Sequence, residues 1–291
     1  MAWVPGAQGQ SEAPAATSQN QPPEGSVGGM GDINLYPKRI VLQDRQRIAT
    51  LGLYNRAPAE GNYEIKLSDK MMMPDGKLVA VEDIEDEAYR ARLKSAIDLL
   101  RWSPRKIALP PSEAQTVRIM ARIPPELPPG EYRTHLSVTQ VPAIAPGGFS
   151  IEAASGKARA NSIGVTIVPR FGISIPVIVR VGETTLQTEL RNIAVTPLGG
   201  GHNAISLVIA RSGSRSAFGD LKVTLAGSNK PIGVLKGIGV YPEIDQRSVT
   251  IPLDPEVPPS TYARGKKLTV TYIDDDYRPG QVLASQDITV P

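Results

Sequence analysis

Residues 162–180, SIGVTIVPRFGISIPVIVR, place Ile163, Val165 and Ile167, then Ile173, Ile175, Val177 and Val179, at every second position. A period of two belongs to an extended strand whose alternate side chains share one face. The run outlasts the usual strand of about five or six residues. On alternation alone it reads as a core strand of a β-sandwich.

The same texture extends upstream. INLYPKRIVL (33–42) reads as one strand whose Pro37 argues for an edge position or a bulge, since proline cannot donate to a ladder. In 47–61, Ala49, Leu51 and Leu53 alternate before a turn containing Asn55 and Pro58, and in 62–67 Tyr63, Ile65 and Leu67 do the same. Val117, Ile119 and Ala121 share one face, and GEYRTHLSV sends Tyr132, Thr134, Leu136 and Val138 one way. Residues 80–100 break the pattern, with Ile84, Ala88, Leu93, Ile97 and Leu100 at roughly helical spacing and acidic residues preceding basic ones, which suits the helix dipole. One helical excursion that covers the sandwich is expected there.

Downstream of Val181 come TLQTELRNIAVTPL, NAISLVIARSG, GDLKVTLAG, IGVLKGIGVYP, SVTIPLDP, KKLTVTYIDDD and ASQDITVP. Some seven short alternating strands fit an immunoglobulin-like sandwich. The expected organisation is an N-terminal tail over 1–30, a first immunoglobulin-like domain over 31–180 and a second over 181–291. The tail is rich in Gly, Pro, Gln, Ser and Ala, has no Lys or Arg, and reads as disordered. It shows no apolar signal core after a basic start. Residues 142–161 read as a long Gly/Ala/Ser-rich loop.

Composition narrows the function classes. Gly and Pro each occur 27 times in 291 residues, and aromatics make up 5%, which favours sandwiches over helical bundles. The 32 basic and 29 acidic residues are dispersed, so there is no concentrated basic face for nucleic acid. With no cysteine, thiol chemistry, disulfides and cysteine-ligated zinc drop out. No apolar run reaches the length of a membrane span. His135 and His202, the two histidines, fall in different halves without a nucleophile motif. IDDDYRPG (273–280) lacks the spaced ligands of a calcium loop and reads as a solvated hairpin turn. PLGGGHN (197–203) lacks the Lys-Ser/Thr of a phosphate loop and reads as a flexible connection. No enzyme, cofactor or metal site is expected.

INLYPKRIVL, the block WSPRKIALPPSEAQTVRI followed by LPPGEYRTHLSV, and the long alternating strand together resemble the periplasmic pilus-assembly chaperones of the chaperone/usher pathway, over about residues 31–180. The resemblance implies a boomerang of two immunoglobulin-like domains in the periplasm, with pilin subunits as clients and an outer-membrane usher as recipient. The chaperone would lend the pilin a β-strand, with backbone hydrogen bonds giving affinity and alternate side chains filling client pockets. Donor residues would be Ile163, Val165 and Ile167, with Pro169 in a shallower pocket. The family holds the pilin's terminal carboxylate with an Arg and a Lys. Arg39 matches the first. Ser174 stands at the second and can donate one hydrogen bond but brings no charge, with Arg170 or Arg180 as substitutes in a shifted register. Arg39→Ala would then lose pilin binding with little change in stability, whereas retention of full binding would point to a solvated edge arginine. Self-association of the unoccupied chain through its donor strand is left open. The competing reading is a structural or adhesive surface protein or a pilus subunit, against which the unpatterned N-terminus speaks.

Overall fold

The computed structural model describes residues 27–28, 33–141, 170–200 and 202–290. Ile163, Val165, Ile167 and Pro169 therefore lie outside the described residues, as do the loop at 142–161 and most of the tail. The first half runs β1 (Val27–Gly28), β2 (Ile33–Tyr36), β3 (Ile40–Gln43), β4 (Ile48–Asn55), β5 (Gly61–Ser68), β6 (Lys70–Met72), β7 (Leu78–Ala80), α1 (Glu87–Arg90), β8 (Leu100–Ser103), β9 (Lys106–Leu109), β10 (Ala114–Ala121), β11 (Gly130–Val141) and β12 (Gly172–Val181). The second runs β13 (Leu186–Gly199), β14 (His202–Gly213), β15 (Ala217–Leu225), β16 (Pro231–Val240), β17 (Gln246–Pro252), β18 (Lys267–Asp274) and β19 (Val282–Thr289).

In the first sandwich, one sheet has the order β1-β2-β4-β10-β8 and the other β3-β12-β11-β5-β9. Alternation builds the core between them: Leu51, Leu53, Ile65, Val117, Ile119, Leu136, Val138, Ile175 and Val177 are buried, each such side chain contributing about 1.5–3 kcal/mol. The Tyr132 hydroxyl donates to the Pro128 carbonyl at 2.9 Å, a tyrosine-corner bond of immunoglobulin-like sandwiches. The seven strands of the second half form β13-β14-β17 packed on β16-β15-β18-β19.

Two expectations need correction. INLYPKRIVL is not one strand. Pro37, after a cis peptide bond, ends β2, and the chain crosses to the opposite sheet as β3. Ile33 and Leu35 enter the core from one sheet, Ile40 and Leu42 from the other. The helical excursion shrinks to a single turn, α1, capped by the Asp86 carboxylate on the Tyr89 N–H, with short 3-10 turns at Val81–Asp83 and Ile97–Leu99. Backbone pairing wins over helical spacing here. Arg133 N–H donates to the Lys94 carbonyl and Ala96 N–H to the Arg133 carbonyl, so 94–96 lie extended along β11 beyond the end of β5.

The outer face of the sheet containing β12 and β11 is covered over part of its area by the second sandwich. Ile178 and Met72 belong to the second core rather than the first, with Val41 and Tyr89 packed against it.

Candidate functional site

At the lower end of that outer face, β11 and β12 present Glu131, Arg133, His135, Ile178 and Arg180, all of them buried. The opposing surface comes from the start of β15, the segment around Tyr241–Asp245 and the β18–β19 hairpin. That hairpin carries the IDDDYRPG turn, exposed as expected at Asp275 and over 277–280, while Asp274 is buried and Asp276 half-buried. The Asp274 carboxylate, buried, accepts from the N–H groups of Asp276 at 2.9 Å, Tyr277 at 3.2 Å and Arg278 at 3.0 Å, which pins the loop. Gly219 allows the close approach, since a Cβ there would stand 1.9 Å from the Ile273 carbonyl oxygen.

The pinned turn aims Asp276 at two arginines of the first sandwich. Arg39 Nη2 donates to Asp276 Oδ2 at 2.8 Å and to Ser216 Oγ at 3.0 Å, and its guanidinium lies 4.4 Å from the centre of the Phe218 ring. Arg180 pairs with Asp276 through Nη2 and with Glu131 Oε2 through Nε at 3.0 Å. Glu131 Oε2 also accepts the Ser216 N–H at 3.2 Å. Arg215 stacks 4.2 Å from the Tyr277 ring centre. Burial works against the charge on Asp276, yet Arg39, Arg180 and Arg215 outweigh it and hold its carboxyl below the ordinary range. Burial likewise opposes the charge of Arg180, and Glu131 with Asp276 overcomes it.

A second ionic layer lies beside the first. Arg133 pairs with Glu243, donates to the Lys70 carbonyl at 2.8 Å and stacks 4.0 Å from the Tyr241 ring centre. Glu243 also accepts the Met72 N–H at 3.0 Å. His135 has a ring nitrogen 3.2 Å from Arg133. Burial first, then Arg133 and Lys70, push its pKa down to about 2.

Above this junction β12 has an edge that β3 covers only in part. β11 pairs with β12 from Gly172 to Val181, whereas β3 runs parallel to β12 only alongside Val177–Arg180. Among the described residues no strand pairs with the other edge of Gly172–Pro176. Gln140 N–H donates to the Phe171 carbonyl, so Ile173 and Ile175 turn their backbone groups to β11 while Gly172, Ser174 and Pro176 turn theirs to the open edge. Pro176, lacking an N–H, sits where no β11 ladder bond is lost.

Arg39 and Ser174 are not brought together. Arg39 reaches the second sandwich, while the half-buried Ser174 accepts from the Ser137 hydroxyl at 3.2 Å. Arg170 is exposed on the outer face near Glu64, and Arg180 is committed to Glu131 and Asp276. Arg39 is no solvated edge arginine, its side chain being 9% exposed. Glu131, Arg133, Glu243 and Asp276 escaped the sequence reading. Glu131, Arg133 and His135 occupy the alternate positions of β11 that periodicity assigns to solvent, and nothing local announces that another sandwich covers them. Among the described residues no cluster of His, Asp and Glu could hold a metal ion.

No protein-family model matches the chain, and no curated protein sequence does. Among solved structures it is similar to the YadV chaperone, at 13% identity over 88% of this chain and 100% of that one with a TM-score of 0.41. It is similar to the Pseudomonas aeruginosa CupB2 chaperone at 12% identity, over 88% and 100% of the two chains, with a TM-score of 0.43. A third is the CsuC-CsuE chaperone-tip adhesion subunit pre-assembly complex of archaic chaperone-usher Csu pili from Acinetobacter baumannii, at 13% identity over 89% and 97%, with a TM-score of 0.41. All three are structures of chaperones or of a chaperone complex. No helix among the described residues is long and apolar enough to cross a membrane.

Proposed function

We propose that the protein is a periplasmic chaperone that captures an extended segment of an incomplete pilus subunit along the open edge of β12, keeps it from aggregating, and delivers it to an outer-membrane usher. The observation that carries this reading is the edge at Gly172–Pro176, which no strand among the described residues pairs, bounded below by β3. An edge of this kind is a template for strand addition.

The direction of entry follows from charge. A segment added above Pro176 ends where β3 begins, beside Lys38 and Arg39. A terminal ammonium would be repelled there and a terminal carboxylate attracted. The client therefore runs parallel to β12, as β3 does, with its C-terminus at Arg39, whose Nε and Nη1 are buried and have no hydrogen-bond partner among the described residues. Ile163, Val165 and Ile167, just upstream in sequence, are assigned as the side chains that fill the client's groove, with Pro169 next in line. Ser174 contributes its backbone N–H rather than a second carboxylate anchor.

Co-expression with the small exported β-proteins encoded beside it, followed by co-purification, tests the reading. Ser174→Pro removes an N–H from the open edge but none from the β11 ladder. It is expected to abolish client capture while shifting the melting temperature by no more than about 2 °C. A Ser174→Pro protein that still co-purifies with its client would rule out capture along this edge.

A further inference from the structure

We infer that Asp276 is a resident competitor for the incoming carboxylate: in the empty protein it holds Arg39 from the second sandwich and thereby sets the affinity of the corner for a strand terminus. The inference rests on the strand-capture reading above and adds a residue to it from the opposite half of the chain.

Arg39 is the residue just before β3, at the point where an added strand must end. Its Nη2 is taken by Asp276 Oδ2 at 2.8 Å and Ser216 Oγ at 3.0 Å. Both partners come from the second sandwich, so in the empty protein the charge of the anchor is already matched by Asp276. Asp276 is held there by the Asp274-pinned turn, and Arg180 grips the same carboxylate. A second carboxylate arriving at Nε or Nη1 meets a like charge a few ångströms away at a buried site. It must displace Asp276 or bind against its repulsion. Arg180 and Arg215 can retain Asp276 once Arg39 is surrendered, so release of Arg39 need not expose an unpaired charge.

The probes are two synthetic peptides of about ten residues with alternating Val and Ile, one ending in a free carboxylate and the other in an amide. Calorimetry on the full chain should show Asp276→Asn binding the free acid at least tenfold more tightly than the unaltered protein, with the amide unchanged. Equal or weaker binding of the acid by Asp276→Asn, or an equal gain for both peptides, overturns the inference and leaves strand capture standing. Failure of both proteins to bind either peptide overturns strand capture, and the competitor with it. Should Asp276→Asn not fold, the carboxyl carbon resonance of Asp276 in the unaltered protein decides. It should move with the acid and stay with the amide, and a resonance that stays with both overturns the inference.

Discussion

Arg39 stands at the proposed client site and also on Asp276, so a single substitution touches both. Its removal takes away the positive end of the proposed client site and also one of the two arginines on Asp276. Asp276 keeps Arg180, so the loss is that of a charged hydrogen-bonded pair rather than of a stranded buried charge. Arg39→Ala is expected to lower stability by roughly 1–3 kcal/mol in urea unfolding and to lose client capture. The small stability effect implied by the family resemblance does not fit a side chain engaged across the junction. His135 gives a separate prediction. The fold admits only its neutral ring, since burial, Arg133 and Lys70 depress its pKa to about 2 while the unfolded chain protonates near the ordinary value. Its contribution is therefore intact above about pH 6.5 and declines as pH falls below that, by at most ~1.4 kcal/mol per pH unit. Comparing urea midpoints at pH 7.5 and 5 should show a fall in the unaltered protein that His135→Gln largely removes. An equal fall in both would assign the acid sensitivity to other groups.

At the scale of elements, the insertion between β5 and β8 ties the halves together. The β6–β7 hairpin places Met72 in the second core, the Pro74 carbonyl accepts the Ser248 N–H at 2.8 Å, and the Tyr89 hydroxyl donates to the Met72 carbonyl at 2.7 Å. Extended residues 94–96 then prolong the sheet along β11. Met72→Ala should cost about 2–3 kcal/mol through the cavity it leaves. Because Met72 is chemically part of the first half but packed in the second, differential scanning calorimetry should show the loss as earlier unfolding of the second sandwich. A loss confined to the first would mean that the hairpin does not brace the junction. This insertion is also where sequence periodicity misled, because helical spacing over 80–100 was overridden by backbone hydrogen bonds to β11 that no local pattern announces.

For the whole molecule, the junction is ionic as much as apolar. Ile178 and Met72 supply its apolar part, flanked by Arg180–Glu131–Asp276 on one side and Arg133–Glu243 on the other. Arg133→Ala leaves Glu243 buried with, among the described residues, the Met72 N–H as its remaining hydrogen-bond donor. Removing one partner of a buried pair typically costs about 3–5 kcal/mol. The expected result is a single calorimetric transition splitting into two, whereas one undivided transition at unchanged temperature would mean that the sandwiches are coupled by other contacts.

The β-sandwich architecture is legible in the chain's own pattern, because a period of two in segments such as AQTVRIMAR, NAISLVIARSG and KKLTVTYIDDD can bury one face only by stacking sheet on sheet, and the last two became β14 and β18 on that account. Of the alternating run over 162–180, the part from Gly172 onward is β12, while the donor positions Ile163, Val165, Ile167 and Pro169 lie outside the described residues. Three features come from the assembled molecule alone: the cover on the other face of β11, the division of one predicted strand between two sheets at Pro37, and the delivery of a carboxylate from the DDD turn to Arg39 and Arg180. Periodicity reports which side of a strand is apolar. A polar side chain buried against a partner from more than 90 residues away is indistinguishable in sequence from one that faces water, because its compensation comes from charges that meet only after both sandwiches have folded.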